Sequence, residues 1–241
     1  VKPTRDFLEN PLALPKTVDF SNFAIAFEKM NFLNGLGNTA AITAASVLLV
    51  ALFSAMSAYL MVRKNWKATK LLFLCMVSAM IIPFQALMVP LVKIYGSLNI
   101  LNNPATLVYM YLGFGAPMAV FIYHGFIKSV PLEIEEAAMI DGCGQQRTFF
   151  QIVLPLVKPI TFTVIILNML WIWNDFLLPS LVLIKPSSRT LPLSTFYFFG
   201  TYTVDYGLLM AGLLMTILPV IVIYLFLQKY IIQGVMQGSI K

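Results

Sequence analysis

Few side chains in this sequence could do chemistry, and they gather in two places. The first is WIWNDFLLP, Trp171 to Pro179. Asn168, Trp171 and Asp175 recur there at spacings of three and four, so they share one helical face, with Asn174 three after Trp171. Asp175 is the one acid inside a long apolar stretch. A carboxylate at mid-bilayer costs about 2.5–3.5 kcal/mol on insertion scales, so it turns toward a bundle interior or an aqueous cavity. Two readings stand: a hydrogen-bonded cap on a helix break before Pro179, or the lining of a polar path that also includes Gln85. The second place is EEAAMIDGCGQQRTFFQIVLPLVKP, Glu135 to Pro159, a polar segment inside a chain that otherwise reads as lipid-soluble.

Neither place supplies an active site. The sequence has one histidine and two cysteines, Cys75 and Cys143, a poor set for a metal or a disulfide. It has no G-x-x-x-x-G-K-[ST] phosphate loop, no paired carboxylates on one membrane face, and no Ser-His-Asp arrangement. His124 reads as an interfacial or packed side chain. The chain is expected not to be an enzyme, and no cofactor is expected in it.

The elements around these residues follow from composition. Hydrophobic residues make up 59% and charged residues 11%, and the mean hydropathy is +0.85. A soluble globular chain carries about 25% charged residues, so the apolar faces here must meet lipid or other subunits. The fold class is an all-α polytopic membrane protein. Five stretches have the ~20 apolar residues that a helical span needs: about Thr39–Val62, Leu71–Val92, Pro104–Ile127, Ile160–Ile184 and Tyr206–Leu227. The second is broken around Pro83 and Pro90, the third is interrupted at Gly113, Gly115 and Pro117, and the fifth carries Pro219. Asn102-Asn103-Pro104 opens the third with a cap and a first-turn proline. Ala44, Ala51, Ala55 and Ala58 form a small-residue stripe on the first, suited to close helix packing.

Arg63, Lys64, Lys67 and Lys70 sit in the loop after the first span, which places that loop in the cytoplasm. The net charge of +6 is read as this membrane signal and not as nucleic-acid binding. Alternation then puts residues 1–38 outside, the 128–159 segment inside, and the C-terminus inside. An external start is easiest if a sixth, N-terminal span precedes Val1. The domain reading is an extracytoplasmic segment 1–38, a transmembrane domain 39–230, and a cytoplasmic tail 231–241.

Within 128–159, LEIEEAAMI favours a helix, with Pro131 before its first turn and Glu133, Glu135 and Glu136 near its positive end. Gly142 and Gly144 permit a sharp turn, and QQRTFFQIVL continues as a second helix to Pro155. The product is a helix–glycine elbow–helix. Its acidic first half suits a protein partner better than anionic lipid. In the loop before the last span, Phe196, Tyr197, Phe198, Phe199 and Tyr202 form an aromatic cluster, suited to the membrane interface, to protein docking or to sugar stacking.

The elbow resembles the EAA loop of ABC importer permeases, E-A-A-x-x-x-G followed by I-x-L-P, matched by Glu136, Ala137, Ala138, Gly142, Ile152, Leu154 and Pro155. IPFQALMVPL, GFIKSVPLEIEEAA, WNDF and QKYIIQGVMQGSIK resemble the carbohydrate-type, MalG-like branch in their running order, and Cys143 stands where that family usually has alanine. The resemblance implies a non-catalytic permease subunit, multi-pass in a bacterial inner membrane. It would translocate a sugar, of the oligosaccharide class, delivered by an extracytoplasmic sugar-binding protein. It implies a second homologous permease and two ATPase domains that hold the ATP and Mg. Glu135, Glu136, Ala137, Ala138, Asp141, Gly142, Gly144 and Pro155 are then the ATPase-coupling residues. Phe196, Tyr197, Phe198 and Tyr202 are candidates for binding-protein contact, and Gln85, Asn168, Trp171, Asn174 and Asp175 for the substrate path. The alternative from the residues alone is a secondary transporter driven by an ion gradient through Asp175.

Overall fold

A computed structural model describes residues 10, 12, 13, 19–198 and 205–239, and every regular element among them is helical. Helix α1 is Ser21–Lys29. Ahead of it, Asp19 accepts hydrogen bonds from the Ser21 N–H and Oγ, both at 2.8 Å, which hold its carboxyl below the usual range. Asn31 then turns the chain at φ 47°, a conformation asparagine tolerates, into α2, Phe32–Arg63. This helix starts at Phe32, ahead of the expected Thr39, and Asn34 and Asn38 in it spend their side chains on a distant segment.

Helices α3, Lys67–Ala79, and α4, Phe84–Ser97, form a pair bent by 105°. Pro83 removes a backbone donor at the bend, and the Ile81 and Ile82 amides fall back on shorter-range bonds to Ser78 and Ala79. Pro90 lies inside α4 without ending it. Helix α5, Pro104–Ile127, is one helix through Gly113, Gly115 and Pro117, contrary to the interruption expected there. Asn103 caps it, its Oδ1 accepting the Ala105 N–H at 2.9 Å.

Helix α6 is Leu132–Ile140, α7 is Gln145–Leu156, and α8 is Lys158–Asn174, with α7 and α8 bent by 76°. The fourth span ends at Asn174 instead of running to Ile184, and the chain resumes as the short α9, Leu177–Val182. A one-turn α10, Leu191–Ser194, precedes α11, Tyr206–Ser239, which contains Pro219. Among the described residues three helices are long and apolar enough to cross a membrane, or up to five spans if each bent pair counts as one.

Contacts divide the chain into two compact units. One comprises Ala44–Leu91, Val108–Leu170 and Leu225–Lys241. Its core joins Val50, Ala55, Ala58 and Tyr59 of α2 to Val120, Tyr123 and Ile127 of α5, Phe149 and Val153 of α7, and Val164 of α8. Of the alanine stripe, Ala51, Ala55 and Ala58 are buried while Ala44 is exposed. Gly115 is required by this packing. A Cβ there would lie 2.7 Å from Asn168 Oδ1 and 3.1 Å from Val50 Cγ2.

The other unit comprises Val1–Thr43, Val92–Leu107 and Trp171–Tyr224. Side-chain to backbone bonds hold it together. Asn34 and Asn38 both donate to the Ser187 carbonyl at 2.8 Å, and Asn38 also reaches the Arg189 carbonyl at 3.0 Å. Thr39 Oγ1 accepts the Leu191 N–H at 2.8 Å. Asn102, at φ 63°, accepts the Ile184 and Lys185 N–H groups at 3.2 and 2.9 Å, while its own N–H donates to the Val182 carbonyl at 2.7 Å.

The Gly115 contact yields a test of the packing. Gly115→Ala forces a methyl group against Asn168 Oδ1, and overpacking of this kind costs about 1–3 kcal/mol. A lower thermal midpoint in lipid nanodiscs is expected, and an unchanged midpoint would contradict the close approach of α5 and α8.

Candidate functional site

The elbow is built from backbone rules. Pro131 precedes α6 and Glu133 and Glu135 occupy its first turn, where the helix dipole favours acids. The helix stops in a paired-bond Schellman termination: the Cys143 N–H reaches the Ala138 carbonyl at 2.9 Å and the Gly142 N–H reaches Met139 at 3.0 Å. That motif needs a left-handed residue, and Gly142 supplies it at φ 86°. Gly144 has an ordinary φ of −72°, so of the two glycines expected to make the turn only Gly142 needs to be one.

Helix α7 contains a π-turn over Phe149–Val153. Pro155 lacks the N–H that would bond back to Gln151, and the wider turn absorbs the mismatch. The second helix, expected to end at Pro155, runs to Leu156 with Val157 as its C-cap, and Pro159 sits in the first turn of α8, where a missing donor costs nothing.

The two glutamates that look equivalent in the sequence part company. Glu136 and Ala137 are exposed on the elbow, together with Glu133, Met139, Ile140 and Asp141. Glu135 is 1% exposed and points inward, and Ala138 is buried beside it in the same sense. Glu135 Oε1 accepts a hydrogen bond from Arg63 Nε at 2.7 Å and lies 2.7 Å from Nη2 as an ion pair, and Oε2 accepts the Tyr59 hydroxyl at 2.8 Å. Arg63 Nη2 also donates to the Val130 carbonyl at 3.0 Å. Sequence reading missed this cluster because Arg63 was already accounted for as a loop charge. The available signal was the four-residue spacing of Tyr59 and Arg63, which continues the buried alanine stripe.

The proposed path residues fall in both units. Asn168 is 6% exposed; its Nδ2 donates to the Val164 carbonyl at 2.9 Å and its Oδ1 abuts Gly115, so it serves packing in its unit. Gln85 is exposed in the first turn of α4. In the other unit Trp171 and Asn174 are exposed and Asp175 is half-buried. Asp175 Oδ1 accepts the Leu177 N–H at 3.0 Å, which makes it the cap of the helix break before Pro179.

Among the aromatic residues, Phe196 is 52% exposed and its ring lies 6.0 Å from that of Phe176. Phe198 is 3% exposed and fills the space above Gly212, where a Cβ would come within 2.8 Å of its ring, so it is not presented outward. Tyr197 contributes backbone to a 3₁₀ turn, and Phe199 and Tyr202 lie outside the described residues. Among the described residues no cluster of His, Cys, Asp or Glu could hold a metal ion.

Apolar helices long enough to cross a membrane define a polytopic membrane component. The chain belongs to the family described as binding-protein-dependent transport system inner membrane component, which matches residues 47–237. It is 42% identical over 240 residues to the probable starch degradation products transport system permease protein AmyC of Thermoanaerobacterium thermosulfurigenes, covering 100% of this chain and 87% of that one. It is 38% identical over 228 residues to the melibiose/raffinose/stachyose import permease protein MelC of Bacillus subtilis, covering 94% and 83%. In fold it is similar to a chain from the crystal structure of a bacterial ABC transporter involved in the import of the acidic polysaccharide alginate. The TM-score is 0.79 at 21% identity, over 90% of this chain and 81% of that one.

The elbow geometry separates its glycines experimentally. Gly142→Ala places an L-residue in the left-handed region, costing about 1–2 kcal/mol, and speeds proteolytic cutting between α6 and α7. Gly144→Ala is expected to leave the cutting rate unchanged, and equal effects of the two substitutions would contradict the Schellman termination.

Proposed function

We propose that this chain is the permease subunit of a bacterial ATP-binding-cassette importer for an oligosaccharide. The substrate would be delivered by an extracytoplasmic sugar-binding protein, and translocation driven by ATP hydrolysis in separate ATPase subunits, with a second permease completing the pore. The observation that carries the reading is the elbow. A short acidic helix that leaves Glu136, Ala137, Met139 and Ile140 exposed, and ends on a glycine turn, is a shape for insertion into a protein cleft. The sugar-permease names of the relatives over nearly the full chain support the substrate class.

In this reading residues 128–159 are the coupling loop on the cytoplasmic side, and Glu136, Ala137, Asp141 and Gly142 meet the ATPase. Nucleotide binding closes the ATPase pair and moves the elbow. The spans follow only as far as the outward-open state binds its partners better than the inward-open one. On the extracytoplasmic side, Phe196 beside Phe176 offers an aromatic surface to the binding protein or to a sugar ring. Asp175, spent on a backbone cap, is a poor ion carrier.

The reading is tested on the reconstituted assembly of this chain, its partner permease, the ATPase and the binding protein. ATP hydrolysis is measured across a panel of maltodextrins and α-galactosides. At least one oligosaccharide is expected to stimulate hydrolysis and be taken up. Glu136→Ala is expected to lower that stimulation by about 5-fold or more, within the usual range for coupled sites. Uptake that proceeds without ATP and is abolished by collapsing the ion gradient would refute the proposal.

A further inference from the structure

We propose, resting on the permease reading above, that the Glu135–Arg63–Tyr59 cluster is a latch that carries movement of the coupling elbow into α2. Glu135 and Arg63 are then positioning residues for energy coupling. Chain connectivity gives α6 a direct route to α5, which precedes it, and through α7 to α8, which follows. It gives no such route to α2, because Arg63 and Glu135 are separated by 72 positions in sequence. Apolar packing between helices resists separation but lets surfaces slide. A guanidinium fork on one carboxylate oxygen and a phenol on the other fix both distance and angle.

The same turn of α2 also grips the two flanks of α6. Arg63 Nη2 holds the Val130 carbonyl just before it, and the Tyr59 ring lies 5.1 Å from that of Phe149 in α7 beyond it. Burial makes the connection stiff. Separating the partners would strand a carboxylate that is 1% exposed away from its counter-charge, so elbow and helix end move together in preference to parting. Since α2 is a single helix from Phe32 to Arg63, a displacement at its Arg63 end is delivered to a membrane span. Glu136, which faces outward, then meets the driving partner while its neighbour Glu135 holds the driven element.

The test uses the reconstituted assembly in proteoliposomes, with sugar uptake and ATP hydrolysis measured together. Two variants are compared with the unaltered chain: Glu135→Gln, and Arg63→Met with Glu135→Met, which removes both charges so that neither is stranded. In both, the assembly is expected to form and hydrolyse ATP, while sugar transported per ATP falls about 10-fold. A structural readout accompanies it: spin labels at Asn65→Cys and at Glu133→Cys, exposed in α6 and not among the residues assigned to the ATPase, with Cys75 and Cys143 replaced by serine. Their separation is expected to stay constant between nucleotide-free and ATP-trapped states when the latch is intact, and to change between those states in the double variant.

An unchanged sugar-to-ATP ratio in both variants, or a label distance that changes with nucleotide while the latch is intact, would overturn the proposal. Failure of the double variant to assemble would assign the pair to folding alone and overturn it equally. ATP-independent uptake by the unaltered assembly would remove the permease reading itself, a different outcome from intact coupling in the variants.

Discussion

A backbone amide in hydrocarbon has no water to bond, so a membrane chain interrupts a helix only where its own groups take over the lost partners. Each change of direction here obeys that constraint. At the α3–α4 bend the freed amides contract onto nearer carbonyls. After α8 the carboxylate of Asp175 receives the Leu177 amide. Asparagines collect the polar groups of the stretch around 182–189. At the elbow the Ala138 and Met139 carbonyls are bonded by Cys143 and Gly142. The positions of the bends, and with them the elbow, follow from where such substitutes exist.

The buried ion pair answers the same constraint for charge. Taking Glu135 out of water is costly unless its charge is compensated, and the structure gives its carboxylate hydrogen bonds from Arg63 Nε and the Tyr59 hydroxyl and an ion pair with the same guanidinium. An apolar pair of similar volume would serve stability as well or better. What an ion pair adds is a fixed geometry between two helices.

Much of the architecture is legible in the sequence because lipid imposes length. Runs of about twenty apolar residues announce spans, and the acidic start, the glycine and the second helix of the elbow are each visible as local propensity. Boundaries were less legible. The first helix begins ahead of the expected Thr39, and the backbone acceptors of its Asn34 and Asn38, 153 and 151 positions away, are not visible locally. Gly113 and Gly115 looked like a break, whereas Gly115 makes room for Asn168 within a continuous helix. The site divides in the same way. Local order marks out Glu136, Ala137 and Gly142, but nothing local says that Glu135 turns inward or that Phe198 is covered, because both depend on residues distant in the chain.

The clamp made by Asn102 has a consequence for how this molecule can vary. It holds the stretch from Val182 to Lys185 entirely through main-chain N–H and C=O groups. Asn34 and Asn38 likewise grip carbonyls and not side chains at Ser187 and Arg189. The side chains of Ile184, Lys185, Pro186 and Ser187 are exposed and take no part in holding the loop's course. That stretch is therefore a platform whose outward lettering can be rewritten while its path stays fixed, so divergent copies of such a subunit could acquire new recognition there without refolding the scaffold beneath.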